Sequence, residues 1–300
     1  PGEPRVKYTR SVEKGLFDQP TVLNNVETLA NVPYILVHGG ASFAKLGTEG
    51  SKGTKVFSLV GKVNRTGLVE VPMGATLRHL IFDIGGGIRD GGKFKGIQTG
   101  GPSGGCIPEE LLDLEIDFDT LKANGSMMGS GGMIVMDETT CMVELSRYYL
   151  SFLAGESCGK CTPCREGLRC MLDILTRITE GHASMKDLDL LEDLAYTAKE
   201  ASLCELGRTA ANPVISTLTW FRDEYEAHIR EHRCPAGVCT ALIRYRIDPE
   251  KCKGCGLCGK KCPAGAIHGE RKLPYRINPD SCIKCGLCRH TCKFDAILVE

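Results

Sequence analysis

Two runs of cysteines carry the clearest chemistry in this sequence. Cys252, Cys255, Cys258 and Cys262 are repeated 30 residues later as Cys282, Cys285, Cys288 and Cys292, both with the spacing C-x2-C-x2-C-x3-C. Steps of three residues let three thiolates wrap one face of an iron–sulfur cubane, and the fourth cysteine of each run reaches the other cluster. One [4Fe-4S] cluster is therefore assigned Cys252, Cys255, Cys258 and Cys292. The other is assigned Cys262, Cys282, Cys285 and Cys288. Zinc sites favour two C-x2-C pairs, and eight matched spacings leave that reading little room. Pro263 follows the first run, while Lys293 stands in its place after the second.

A third run, Cys158, Cys161 and Cys164, lies in Glu156-Ser157-Cys158-Gly159-Lys160-Cys161-Thr162-Pro163-Cys164. It needs a fourth ligand. Cys204 precedes a later helical stripe and falls at the same end of an antiparallel bundle. Cys170 is closer in sequence but about 9 Å further along a helix, so Cys204 is preferred. A redox C-x-x-C or a zinc site is the competing reading. A further set is looser. Cys234 and Cys239 follow His228 and His232, and bundle geometry brings in Cys141. Cys141, Cys234, Cys239 and one histidine would close a tetrahedral Cys3His zinc site of structural type. His228 extends the inward stripe from Tyr225, and His232 is the alternative. The competing reading is buried cysteines beside a solvated helix-end histidine.

Other patterns carry less. Gly101-Pro102-Ser103-Gly104-Gly105 fits G-x-S-x-G but lacks the strand before and helix after that a nucleophile elbow needs. Residues 85–92 lack a Rossmann glycine pattern. Cys106 and Cys170 read as small buried apolar residues.

The elements that must position these groups change along the chain. At 300 residues, two or three domains are expected. Lys and Arg total 37, as do Asp and Glu, which removes the simplest case for a nucleic-acid or anionic-membrane partner. No apolar run approaches the ~18 residues of a membrane helix, and no signal-peptide pattern is read. The 17 cysteines are an odd number, so complete internal disulfide pairing is impossible. The opening Pro1-Gly2-Glu3-Pro4 has no initiator methionine, and the chain reads as a piece of something longer. A helix is expected around Val22 to Val37. Strands at Val56–Val60, Leu68–Val71, Phe94–Thr99 and Leu114–Phe118, with a short helix from Thr76 to Asp83, predict a small α+β domain over 51–125. From Asp137, read as an N-cap, four apolar stripes predict an antiparallel four-helix bundle over 135–232. The fourth opens at Asn212-Pro213 and runs Val214, Leu218, Phe221, Tyr225. Residues 233–247 are a connector.

Residues 156–167 resemble a signature of the flavoprotein subunit of NADH:quinone oxidoreductase, respiratory complex I. Thr21-Val22-Leu23-Asn24-Asn25-Val26-Glu27-Thr28-Leu29 resembles a second signature of that family. The resemblance covers residues 1–232. It implies that 1–45 is the tail of an upstream FMN/NADH domain, that 51–125 is an SLBB-like β-grasp domain, and that 135–232 is a bundle carrying a [4Fe-4S] cluster. The domain over 248–300 resembles bacterial-type 2[4Fe-4S] ferredoxins, which is not a complex I feature. The whole chain is similar to the β subunit of NAD(P)-linked, electron-bifurcating iron-only hydrogenases and of related formate dehydrogenases. By that resemblance Asn24 and Asn25 lie against FMN, although a turn-and-cap pair is the plain reading, and a histidine falls at position 228.

The family implies an oxidoreductase subunit. It would relay single electrons between FMN, reduced by NAD(P)H in an upstream domain absent here, and three [4Fe-4S] clusters. Expected partners are a hydrogenase catalytic subunit, a small thioredoxin-like [2Fe-2S] subunit and ferredoxin, in a cytoplasmic hetero-oligomer. The alternatives are the same module in a formate dehydrogenase or other NADH-linked complex, a non-catalytic electron-carrying adaptor, or a redox-inert zinc module.

Overall fold

The computed structural model describes residues 2–300. Helix α1, Val26–His38, is capped by the Asn25 side chain, which accepts from the Glu27 N–H at 2.8 Å. It buries none of its residues. Its anchor is Glu27, which accepts from the Val56 N–H at 2.8 Å and pairs with the buried Lys55 ammonium.

Five strands then form one sheet: β1 Thr54–Gly61, β2 Gly67–Pro72, β3 Phe94–Thr99, β4 Cys106–Pro108 and β5 Gly132–Asp137, in the order β2-β1-β5-β3-β4. Within it the β1–β5 pairing is parallel and the others are antiparallel. The two-residue period of a strand puts Phe57, Leu59, Ile97 and Val135 into a core with Leu77, Leu80, Ile81, Leu112, Ile116 and Leu121. The central β5 lies beyond residue 125, so the sheet takes in more sequence than the strand pattern indicates. The strand expected at Leu114–Phe118 is a single bridge from Glu115 to Thr76, followed by a helix at Phe118–Ala123 whose N-cap is Asp117. The cap chemistry of Asp117 outweighs the apolar alternation there. The helix expected from Thr76 to Asp83 is a π-helical turn, His79–Ile84.

The helical domain follows: α2 Met142–Gly155, α3 Thr162–Glu180, α4 Met185–Ala201, α5 Asn212–Trp220 and α6 Arg222–Arg230, with a short turn at Glu205–Thr209. The N-cap of α2 is Cys141, not Asp137. Asp137 ends β5 and instead accepts from the Thr139 N–H and hydroxyl at 3.0 and 2.6 Å. The fourth stripe breaks at Phe221, which leaves helical geometry at φ −135° and splits it into α5 and α6. Gly181 closes α3 in the left-handed region. Leu168, Met171, Leu175, Leu188, Leu191, Val214 and Tyr225 fill the core between the helices. Leu168→Ala should cost about 2–5 kcal/mol through the cavity it leaves. Leu190→Ala, at a 48% exposed site, should leave the thermal midpoint unchanged, and equal midpoints for the two variants would contradict this packing.

The last unit is built from two related halves joined by two short antiparallel ladders. Strand β6, Tyr245–Ile247, pairs with β9, Ile297–Val299; β7, Ile267–His268, pairs with β8, Arg276–Ile277. Short helices α7, Leu257–Lys261, and α8, Leu287–Thr291, follow the cysteine loops. Because β6 belongs to this sheet, the unit starts inside the expected connector.

Candidate metal centres

The two halves of this unit create two small cavities. One is lined by Cys282, Cys285 and Cys288 from one run and Cys262 from the other, with Tyr245, Ile267 and Ile277. The second is lined by Cys252, Cys255, Cys258 and Cys292, with Ile247, Tyr275 and Ile297. Each cavity thus brings together three thiols of one run and the fourth thiol of the other. The walls are otherwise mainly apolar, which excludes water and pushes the Cys288 thiol up to about 11 by burial. A buried thiol with no metal is a poor anion. Ligation by iron removes that penalty, because a coordinating thiol is deprotonated outright.

The third run caps the start of α3. Cys158 and Cys161 are partly exposed and Cys164 is buried. Burial raises the Cys164 thiol, and the neighbouring Cys161, Cys204 and Cys158 raise it further. Cys204, itself exposed, is close enough to act on Cys164, whereas Cys170, also exposed, is not among the groups that do. Cys170 is not the buried residue its type suggested: it lies on the outer face of α3. The Leu203 N–H faces Cys161 and holds its thiol below the ordinary range despite desolvation. Ser202 is 2% exposed, and its hydroxyl has no partner among the described residues. An orphaned hydroxyl and a backbone N–H turned toward the thiols are the donors that a sulfur-rich cluster accepts. Gly207 is required here, since a Cβ would lie 2.6 Å from Ser202 Cβ and 3.0 Å from Cys164 Cβ.

The fourth group is the tightest. Cys141, His228, Cys234 and Cys239 are all buried, and their ligand atoms lie within 4.8 Å of one another. His228 Nε2 is 3.4 Å from both Cys141 Sγ and Cys239 Sγ, and those sulfurs are 3.7 Å apart. Tetrahedral zinc at about 2.3 Å from sulfur sets edges of about 3.6–3.8 Å, which these spacings approach. Burial lowers the basicity of His228, but the thiols of Cys141 and Cys234 outweigh it and raise the imidazole to about 10. Hydrogen bonding to Cys141 holds Cys234 below the ordinary thiol range. His228 Nδ1 donates to the Glu224 carbonyl at 2.7 Å, leaving Nε2 directed at the sulfurs, the arrangement usual for a metal-ligating histidine. His232 is excluded from the group: it is exposed, in the left-handed region at φ 49°.

Asn24 and Asn25 are both exposed. Asn25 serves as the cap of α1, as the plain reading of the pair has it.

The groups are not adjacent. Cys158–Cys164 and Cys204 sit at the start of α3, while Gly181, at its end, packs against Leu242 of the connector. A helix of 19 residues is about 28 Å long. The Cys3His group and the ferredoxin-type unit belong to that far end. Lys284, in the second cysteine loop, donates to the Ala241 carbonyl at 2.9 Å.

Comparison with known proteins accords with this division. The family described as NADH-ubiquinone oxidoreductase-F iron-sulfur binding region matches residues 144–228, and the 4Fe-4S binding domain matches 245–268 and 275–298. The NADP-reducing hydrogenase subunit HndC of Solidesulfovibrio fructosivorans is 54% identical over 297 residues, 99% of this chain and 61% of that protein. The NADH-quinone oxidoreductase F 2 subunit of Rhizobium meliloti is 46% identical over 78% of this chain and 55% of its own length. A solved NAD+-reducing [NiFe]-hydrogenase, in the H2-reduced state, superposes with a TM-score of 0.67 at 34% identity, over 76% of this chain and 38% of that one. The chain thus spans about three fifths of the hydrogenase relative and little more than half of the oxidoreductase relative. The match to the hydrogenase relative is long enough to take in the last unit as well. The chain thus contains a region of the NADH-ubiquinone oxidoreductase-F iron-sulfur binding type followed by a ferredoxin-type 4Fe-4S unit, and it aligns with the hydrogenase relative across both.

Proposed function

We propose that this chain is the electron-transfer part of an NAD(P)H-dependent oxidoreductase subunit of a hydrogenase complex. On this reading the five-stranded domain is the SLBB-like β-grasp domain and the helical domain is the four-helix bundle. Three [4Fe-4S] clusters supply one-electron transfer. Cys158, Cys161, Cys164 and Cys204 would hold the first. Cys252, Cys255, Cys258 and Cys292 would hold the second, and Cys262, Cys282, Cys285 and Cys288 the third. The chain's own work is to hold them, to keep water out with residues such as Ile247, Ile277 and Tyr275, and to turn the Leu203 N–H and Ser202 hydroxyl toward sulfur. FMN and NAD(P)H belong to an upstream domain. The exposed apolar residues Val22, Leu23, Leu36 and Val37 suit a face that such a domain covers, with Asn24 and Asn25 at its edge. Cys141, His228, Cys234 and Cys239 would hold a structural zinc.

The observation that carries the reading is the grouping of the thiols into three sets, one at the start of α3 and two beyond its end. The first set lies toward one end of α3 and the connector to the other two toward its opposite end. The bundle cluster would exchange with the flavin side. The ferredoxin-type pair would exchange with a partner subunit or a soluble ferredoxin, and a partner's centre would join the two in a cytoplasmic hetero-oligomer. The test is iron and acid-labile sulfide in the full-length protein purified without oxygen. About twelve of each per chain, with absorbance near ~400 nm bleached by dithionite, are expected for three cubanes. A colourless, zinc-filled and iron-poor protein would overturn the reading.

A further inference from the structure

A buried ion pair lies outside the ligand sets. Glu224 is 5% exposed, and Lys95 reaches it from β3 of the neighbouring sheet. A buried ion pair is a weak source of stability, because desolvation offsets its attraction. The other bonds of the two residues converge on the Cys3His group. Glu224 Oε2 accepts from the Met142 N–H at 3.1 Å. The Lys95 ammonium also donates to the Thr140 carbonyl. The residues on either side of Cys141 are therefore held by the two members of the pair. The Glu224 carbonyl fixes the His228 ring by accepting from Nδ1. Cys141 and His228 stand on helices α2 and α6, whereas Cys234 and Cys239 come from a loop without regular structure.

We propose that Lys95 and Glu224 are positioning residues that pre-organise Cys141 and His228 as a rigid half-site, onto which a divalent metal draws the Cys234–Cys239 loop. The β-grasp sheet thereby becomes part of the metal site, although it supplies no ligand. A half-site held in place before the metal arrives lowers the ordering cost of binding. Partners at this remove from a metal contribute about 10–100-fold in affinity.

This inference rests on the metal reading above. The test is chelator competition for zinc, with Co2+ substitution as the spectroscopic readout, on the cluster-loaded full-length protein and its Glu224→Gln variant. The amide keeps the volume and an acceptor for the Met142 N–H but loses the charge opposite Lys95. Should the unpaired ammonium prevent folding, the Lys95→Met/Glu224→Gln double variant removes both charges. Either variant is expected to bind zinc about 10–100-fold more weakly, with altered Co2+ d–d bands and an unchanged bundle-cluster signal. Wild-type zinc affinity and Co2+ bands in a variant with only a lower melting temperature would make the pair purely structural and overturn the proposal. Absence of zinc from the wild-type protein would sink the metal reading itself, and this inference with it.

Discussion

Cys158→Ser in the full-length protein is expected to abolish NADH-driven reduction of ferredoxin while leaving reduction of the flavin by NADH intact. Cys158 lies on the turn between α2 and α3, Cys161 is the N-cap of α3 and Cys164 stands in its first turn, with Cys204 close enough to act on Cys164. Serine is nearly isosteric, but its hydroxyl does not ionise at neutral pH, and soft thiolate is the ligand that iron–sulfur clusters select. The bundle cluster should be lost and its reduced-state EPR signal should disappear. The helical core lies along α3 rather than at the turn, so the fold should survive. On the proposed reading the two ferredoxin-type clusters lie toward the other end of that helix and should remain reducible by dithionite. The order of transfer is what the experiment reads: if flavin reduction is lost together with the downstream activity, the bundle cluster does not lie after the flavin. Ferredoxin reduction at the wild-type rate would show that electrons bypass this centre.

Much of the grouping of the thiols is legible in the sequence because cysteine spacing is local. The exchange of Cys262 and Cys292 between the two runs follows from ferredoxin spacing, and the two cavities group the thiols in that way. Cys204 and His228 are reachable by combining helix direction with stripe phase, since α2 and α3 are antiparallel and His228 lies three residues beyond the buried Tyr225. The failures are tertiary or cap effects. Cys141 displaces Asp137 as the N-cap because Asp137 is consumed by Thr139 and by Lys62, 3.6 Å away. The break at Phe221 has no helix-breaking residue to announce it. Lys95 lies 129 positions before Glu224, and nothing local in β3 marks it as a partner of a metal site. Ser202 is likewise an ordinary serine until its burial beside Cys161 is seen.

Removing the metal from the Cys3His group, or its ligand by Cys239→Ser, is expected to have the second large effect, on stability rather than on reduction of the flavin. Structural zinc is worth about 10–16 kcal/mol in peptides that have no other means of folding. Here the loss should be smaller, since the loop has protein contacts of its own. Leu242 lies on Gly181, and Val299 of the ferredoxin-type unit packs against Gly237 between the two cysteines. Those contacts show where the effect must travel. The loop is the joint between the helical domain and β6, so loosening it should free the ferredoxin-type unit. Hydrogen exchange should rise across residues 231–247 and stay low in α3, whose core does not touch the loop except at its end. Wild-type protein should contain near one zinc per chain, and less than about one quarter would remove the site from consideration. Exchange that stays slow across the loop after the zinc is stripped would mean that packing alone holds the joint, leaving the four ligands without the structural role assigned to them.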